Sequence, residues 1–134
     1  MDRVAGATGA GRVHGWAGLP GYVRRSWGPG WALVGDSGYF KDPITTHGMT
    51  DAMRDAELLA TALLDRSRGA ASEAAALARY QAVRDRLSTA LFAVTEDVAA
   101  YDWDTGRVQT LLRRVSSAMS DEVDHLQSLS LIHI

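Results

Sequence analysis

The stretch from Trp27 to Leu64 most constrains how this chain can fold. Trp31 to Val34 is a short, wholly apolar segment between turn-forming residues, a pattern that predicts a buried β-strand. Gly35-Asp36 follows at its carboxyl end, where open α/β sheets bind their ligands. After a loop around Pro43, the spacing of apolar residues is that of an amphipathic helix. We therefore expect a strand, an acidic turn, a loop and a helix N-terminus to form one site.

The first helix is predicted from about Met49 to Asp65. Its apolar side chains recur at helical spacing and form a stripe that we expect to pack against the core. The charged side chains Asp51, Arg54 and Asp55 fall largely off this stripe. The apolar stripe consists of Met49, Ala52, Met53, Ala56, Leu59, Ala60 and Leu63.

More helices follow a short loop around Gly69. The second is predicted from about Glu73 to Tyr101 because apolar residues recur every three or four positions along it. A third is expected over about 107–120 and a short fourth over about 121–129. Together with the one short buried strand, these helices predict a mainly α chain.

The chain is expected to divide into three parts. Residues 1–26 are rich in glycine and poor in large apolar side chains, which predicts a flexible or linking segment. Residues 27–66 form the strand–loop–helix unit, and residues 67–134 form a C-terminal helical region. The apolar end at 131–134 is unusual for a finished protein, and we expect a truncation or a non-natural terminus there.

Composition excludes several classes of function. The 134 residues carry a formal charge of -2 and are 46% hydrophobic, so there is no electrostatic basis for binding nucleic acid. With no cysteine, disulfides and thiolate chemistry are absent. No apolar run reaches the roughly 20 residues of a membrane span, and no signal peptide is visible. We expect a cytoplasmic protein with no metal site.

The stretch containing Gly35-Asp36, Pro43, Gly48 and the helix from about Met49 resembles the second flavin-contacting segment of FAD-dependent monooxygenases of the aromatic-hydroxylase type. Flavin halogenases and geranylgeranyl reductases are relatives of that family. The family commonly has Asn where Thr50 stands. The resemblance covers about a quarter of the chain and implies that the chain is the C-terminal part of an α/β FAD/NAD(P)-binding fold.

The resemblance also implies which residues bind the cofactor. Asp36 would hold the ribityl chain of FAD, and Pro43 would lie beside the flavin ring. Amides near Gly48, Met49 and Thr50 would face its pyrimidine edge. NAD(P)H would be the reductant and a small organic molecule the substrate, with the rest of the FAD-binding domain outside this chain. The sequence identifies no catalytic acid or base.

Other functions remain open at this stage. Halogenation or double-bond reduction would use the same flavin segment. A helical interaction module without a cofactor would account equally well for the long apolar seam of the second helix. Gly35-Asp36-Ser37-Gly38 also matches the nucleophile motif of trypsin-like proteases, but no histidine stands in a recognisable partner setting, and Ser37 is expected to be a turn residue.

Overall fold

The computed structural model describes residues 11–12 and 19–130, and these form three α-helices and two small antiparallel two-stranded sheets. The helices are α1 (Gly48–Ser67), α2 (Glu73–Ala99) and α3 (Thr105–Ser130). The prediction of a mainly α chain is confirmed. Most of the predicted linking segment 1–26, and the terminus 131–134, lie outside the described residues.

The helix boundaries follow from local capping chemistry. The Ser72 hydroxyl accepts a hydrogen bond from the Ala75 amide, at 3.2 Å, and so caps the start of α2. Asp104 does the same for α3, accepting from the Arg107 amide at 2.8 Å. The predicted third and fourth helices are one continuous helix, because the sequence from 107 to 130 contains neither glycine nor proline.

Helix α2 lies between the other two and forms the core with both. Against α1 it buries a small cluster with Ala62, Ala76 and Tyr80 at its centre. Against α3 it buries a larger one, composed of Leu91, Val94, Val98, Leu111 and Ala118. The long apolar seam predicted for the second helix is therefore the centre of the fold. Among the described residues, no helix is both long and apolar enough to cross a bilayer.

The short strands form two antiparallel pairs beside the helices. Strand β1 (Tyr22–Val23) pairs with β4 (Tyr39–Phe40). Strand β2 (Trp27–Gly28) pairs with β3 (Trp31–Ala32) across a Pro-Gly turn, in which Gly30 has φ 78°.

The prediction of a buried strand from Trp31 to Val34 is wrong in extent and in burial. Pairing ends at Ala32, and the side chains of Trp31 and Val34 are exposed. A two-residue hairpin strand has no sheet on either side to cover it, so its apolar residues face outward.

The orientation predicted for α1 is also wrong. Met49 and Met53, on the stripe expected to pack inward, are 78% and 74% exposed. Asp51, Arg54 and Asp55 are instead buried, at 2%, 1% and 0% exposure. Burying charged groups is tolerated only when they are paired and hydrogen-bonded, and here they pair with one another. Most of the predicted apolar stripe of α1 is left on the surface, although Leu59 packs against the cluster between α1 and α2.

Candidate functional site

A groove of about 620 Å³ lies at the N-terminus of α1. We call it the α1 groove. It contains four of the five predicted cofactor residues, Asp36, Pro43, Gly48 and Met49. Thr50, the fifth, is half-buried and is not part of the lining. The complete lining is Val34, Gly35, Asp36, Pro43, Thr46, Gly48, Met49 and Ala52.

Gly35 forms the part of the wall that lies closest to α1. Its φ of 55° is in the left-handed region, which favours glycine. A Cβ atom added here would lie 2.9 Å from the Cβ of Ala52, so the position also requires the absence of a side chain. The Gly35 amide donates a hydrogen bond to the buried Asp55 carboxylate at 3.1 Å. The turn that precedes Asp36 is thus fixed directly onto α1.

Asp36 faces the groove with an unpaired carboxylate. It is exposed, and its carboxylate makes no hydrogen bond or ion pair with any residue in the described part of the chain. Its backbone carbonyl accepts a hydrogen bond from the Tyr22 hydroxyl at 2.7 Å, which holds the turn in place. The carboxylate therefore does not act as a turn cap and remains able to accept hydrogen bonds from a ligand.

The loop around Pro43 forms the opposite side of the groove. The Asp42 carboxylate accepts from the Ile44 amide at 2.9 Å and starts a single 3₁₀ turn over Pro43–Thr45. This turn ends at Thr46, which has a left-handed φ of 54°. Pro43 is exposed on the groove side.

The N-terminus of α1 has no side-chain cap. The amides of Gly48, Met49 and Thr50 are in the first helical turn, where no intrahelical partner exists. His47 precedes them but gives them no side-chain hydrogen bond. The φ of Gly48 is not positive, and an added Cβ would make an ordinary van der Waals contact, 3.7 Å from the Asp36 carboxylate. The protein's own atoms therefore do not require glycine at this position.

A buried ion-pair network lies directly behind the groove, with Arg54 at its centre. The Arg54 guanidinium donates to Glu122 at 2.6 Å, to Asp55 at 2.9 Å and to Asp51 at 3.0 Å. It also donates to the Ser88 hydroxyl at 2.8 Å. The network joins α1, α2 and α3 at one point.

Two more side chains extend this network toward the groove. The ammonium group of Lys41, which is buried above the Tyr39 ring, contacts the Asp51 carboxylate. The ring of His47 contacts Glu122. The imidazole Nε2 atom is thus engaged with Glu122, and His47 gives α1 no side-chain cap.

The pKa shifts in this network follow from burial and charge. Burial raises the pKa of Asp51, although hydrogen bonding and charge attraction from Lys41 oppose that shift. Burial lowers the pKa of Arg54, but the three surrounding carboxylates, led by Asp55, outweigh it and raise the pKa overall. Arg54 is thus a permanent positive charge inside the protein.

His47, Asp51 and Glu122 also have the residue types of a metal site, with one ligand atom of each lying within 4.8 Å of the others. Lys41 and Arg54 already hold the two carboxylates, however, so a divalent ion would have to displace a buried ammonium group. The geometry is that of an ion-pair network. The expectation that the chain holds no metal stays a prediction.

The trypsin-like reading of the Ser37 motif has no support in the described residues. The Ser37 hydroxyl donates to the Val34 carbonyl at 2.7 Å, as a turn residue does. The ring of His47 is engaged with Glu122 instead. His14 and His133 lie outside the described residues.

Sequence reasoning missed the buried side chains that hold the groove, namely Lys41, Arg54, Asp55 and Glu122. One signal was available, since Asp51, Arg54 and Asp55 share one face of the helix at spacings of three and four residues. Nothing local pointed to Glu122, which lies 68 positions from Arg54.

Comparisons of the chain with protein-family models, with curated proteins and with solved structures found no match. The resemblance to flavin-dependent monooxygenases therefore stays a prediction that rests on the residues quoted above.

Proposed function

We propose that this chain is the C-terminal, flavin-contacting part of an FAD- and NAD(P)H-dependent oxidoreductase, with monooxygenation of a small organic substrate as its reaction. The observation that carries the proposal is the convergence of three separate segments on one groove. The Gly35-Asp36 turn, the Pro43 loop and the N-terminus of α1 line it together.

The chemistry of the groove fits a flavin and its ribityl chain. The unpaired Asp36 carboxylate can accept charge-assisted hydrogen bonds from sugar-like hydroxyls. Gly48 leaves space for a flat ring to approach the backbone. The free amides of the first turn can donate to carbonyl oxygens at the ring edge, and the positive end of the helix dipole favours negative charge there.

Each group in the groove would have a defined task. When bound, FAD would supply the redox chemistry, accepting reducing equivalents from NAD(P)H. Asp36 would hold the ribityl chain, and Pro43 would limit how far the ring can move. The α1 amides would stabilise negative charge on the pyrimidine edge. No described side chain in the groove is assigned as an acid or base.

A titration followed by NMR tests this proposal on the chain itself. FMN carries the ring and ribityl chain, whereas AMP carries only the adenosine half, for which this groove offers no partner. We expect FMN to shift the amide signals of Gly35, Asp36 and residues 48–50, with a dissociation constant weaker than about one micromolar, or roughly -8 kcal/mol. AMP should leave these signals unchanged.

Two variants sharpen the test. Asp36→Asn keeps the shape of the side chain but removes its charge, and it should weaken FMN binding. Asp102→Asn, a matched change at a 93% exposed acid between α2 and α3, should leave FMN binding unchanged. If FMN at several millimolar shifts no groove amide, or shifts signals elsewhere, this chain does not contact flavin.

A second candidate, a cofactor-free interaction module, is favoured by the exposed side of α1. Met49, Met53 and Leu63 are 78%, 74% and 46% exposed on it. In that case FMN would leave the spectrum unchanged, and Met53→Glu would abolish association with a partner.

A further inference from the structure

The walls of the α1 groove are held from behind by acids that share one cation. Arg54 is 1% exposed and donates to the carboxylates of Asp51, Asp55 and Glu122. No other described side chain contacts all three acids.

Each of the three acids holds a different segment of the groove. Asp55 accepts the Gly35 amide hydrogen bond, at 3.1 Å, and so fixes the turn that carries Asp36. The carboxylate that accepts this bond is itself held by Arg54, through two donors at 2.9 and 3.2 Å.

The other two acids hold the loop and the helix start. Asp51 contacts the ammonium of Lys41, two residues before Pro43. Glu122, which comes from α3, contacts the ring of His47 at the residue before Gly48. The loop and the α1 N-terminus are therefore tied to the same guanidinium through one intermediate acid each.

We propose that Arg54 is a positioning residue that sets the relative placement of all three groove segments; its relevance to cofactor binding rests on the function proposed above. Without the guanidinium, the three buried carboxylates would lose the cation that pairs with all of them. Removing one partner of a buried ion pair is strongly destabilising because it leaves an uncompensated charge. The acids would then separate or take up water, and each would move the backbone segment that it holds.

Native-state hydrogen exchange on the chain without any ligand tests this inference. Arg54→Met keeps the length and removes the charge, whereas Arg54→Lys keeps one charge. Leu111→Ala is the control because Leu111 is 3% exposed in the α2–α3 cluster, three turns from Glu122. We expect Arg54→Met to lower the protection factor of the Gly35 amide at least tenfold more than the protection factors of amides that exchange only by global unfolding. The control should lower both equally, and Arg54→Lys should restore part of the Gly35 protection.

Asp55→Asn provides a second route if Arg54→Met does not fold. The amide has one acceptor oxygen, which can serve Arg54 or the Gly35 amide but not both. We expect the Gly35 and Asp36 signals to shift, while those of His47 and Gly48, held through Glu122, stay in place. Gly35 protection that follows global stability in every variant, or equal shifts across the whole spectrum in Asp55→Asn, would overturn the inference. These measurements need no flavin, so their outcome is independent of the FMN titration. A failure of the role proposed for Arg54 can therefore be distinguished from a failure of the proposed function.

Discussion

The close approach of Gly35 to Ala52 of α1 allows a quantitative prediction. Gly35→Ala should destabilise the protein through two separate effects. The first is the left-handed backbone, with φ 55°, which costs an alanine about 1–2 kcal/mol. The second is steric, because the new Cβ would lie 2.9 Å from the Cβ of Ala52. Overpacking of this kind typically costs about 1–3 kcal/mol, so we expect a total loss of about 2–5 kcal/mol.

Gly69→Ala separates the two effects. Gly69 has a φ of 72°, but an added Cβ there would meet no atom within 4 Å, so only the backbone cost of about 1–2 kcal/mol applies. The steric part should also be relieved by a second substitution. Ala52→Gly alone should cost about 1 kcal/mol in a helix interior. Combined with Gly35→Ala, it should show a favourable coupling of about 1–3 kcal/mol.

Urea denaturation of the four variants and the wild type provides the measurement, with circular dichroism at 222 nm as the signal. The reasoning fails if Gly35→Ala costs no more than Gly69→Ala. It also fails if the double variant shows no coupling, since the turn and the helix would then not be in contact.

Three more predictions concern the cofactor and pH. If this chain is part of a longer flavoprotein, as proposed above, Asp36→Ala in that protein should weaken FAD binding about ten- to hundredfold, from the loss of a charge-assisted bond of about 1.5–3 kcal/mol; a fall in melting temperature at unchanged FAD affinity would contradict this. Met49→Pro removes one amide from the first turn of α1 and should lower the flavin potential by about 10–20 mV, from about 0.5–1 kcal/mol. Spectroelectrochemical titration measures the potential, with Met49→Leu as the control. Equal potentials in the two variants would disprove the prediction. Burial raises the pKa of Tyr39 and of Tyr80, so both favour the neutral phenol in the fold, and stability should be complete below about pH 10 and fall above it. Tyr80→Phe should flatten that fall in urea titrations between pH 8 and 11, and an unchanged slope would refute the assignment.

The sequence predicted the mainly helical fold, and four of the residues it grouped together line one groove, but it did not predict the side chains that hold that groove. Apolar periodicity located α2 because Leu77, Leu91 and Val94 are all buried in the core. The same signal misjudged α1. A helix with an apolar face and a charged face can bury either one, and the choice depends on partners that are distant in the chain. Arg54 turns inward because Glu122 and Ser88 meet it there.

Arg84 illustrates the same limit. Arginine is rarely fully buried, yet Arg84 in α2 is 0% exposed. Its guanidinium donates to the carbonyls of Arg24 and Gly38, at 2.8 and 3.3 Å, and so braces the strand pair formed by β1 and β4. Backbone acceptors carry no sequence signal, so no local pattern could have revealed this role.

The link between Glu122 and the groove has a consequence for how the protein is made. Contacts between α1 and α2 join neighbouring segments and can form early, whereas the Glu122 contacts with Arg54 and His47 span 68 and 75 residues. A ribosome releases the chain from its N-terminus, so the turn, the loop and the start of α1 emerge well before their last anchor. The groove can reach its final geometry only after most of α3 has left the exit tunnel and docked.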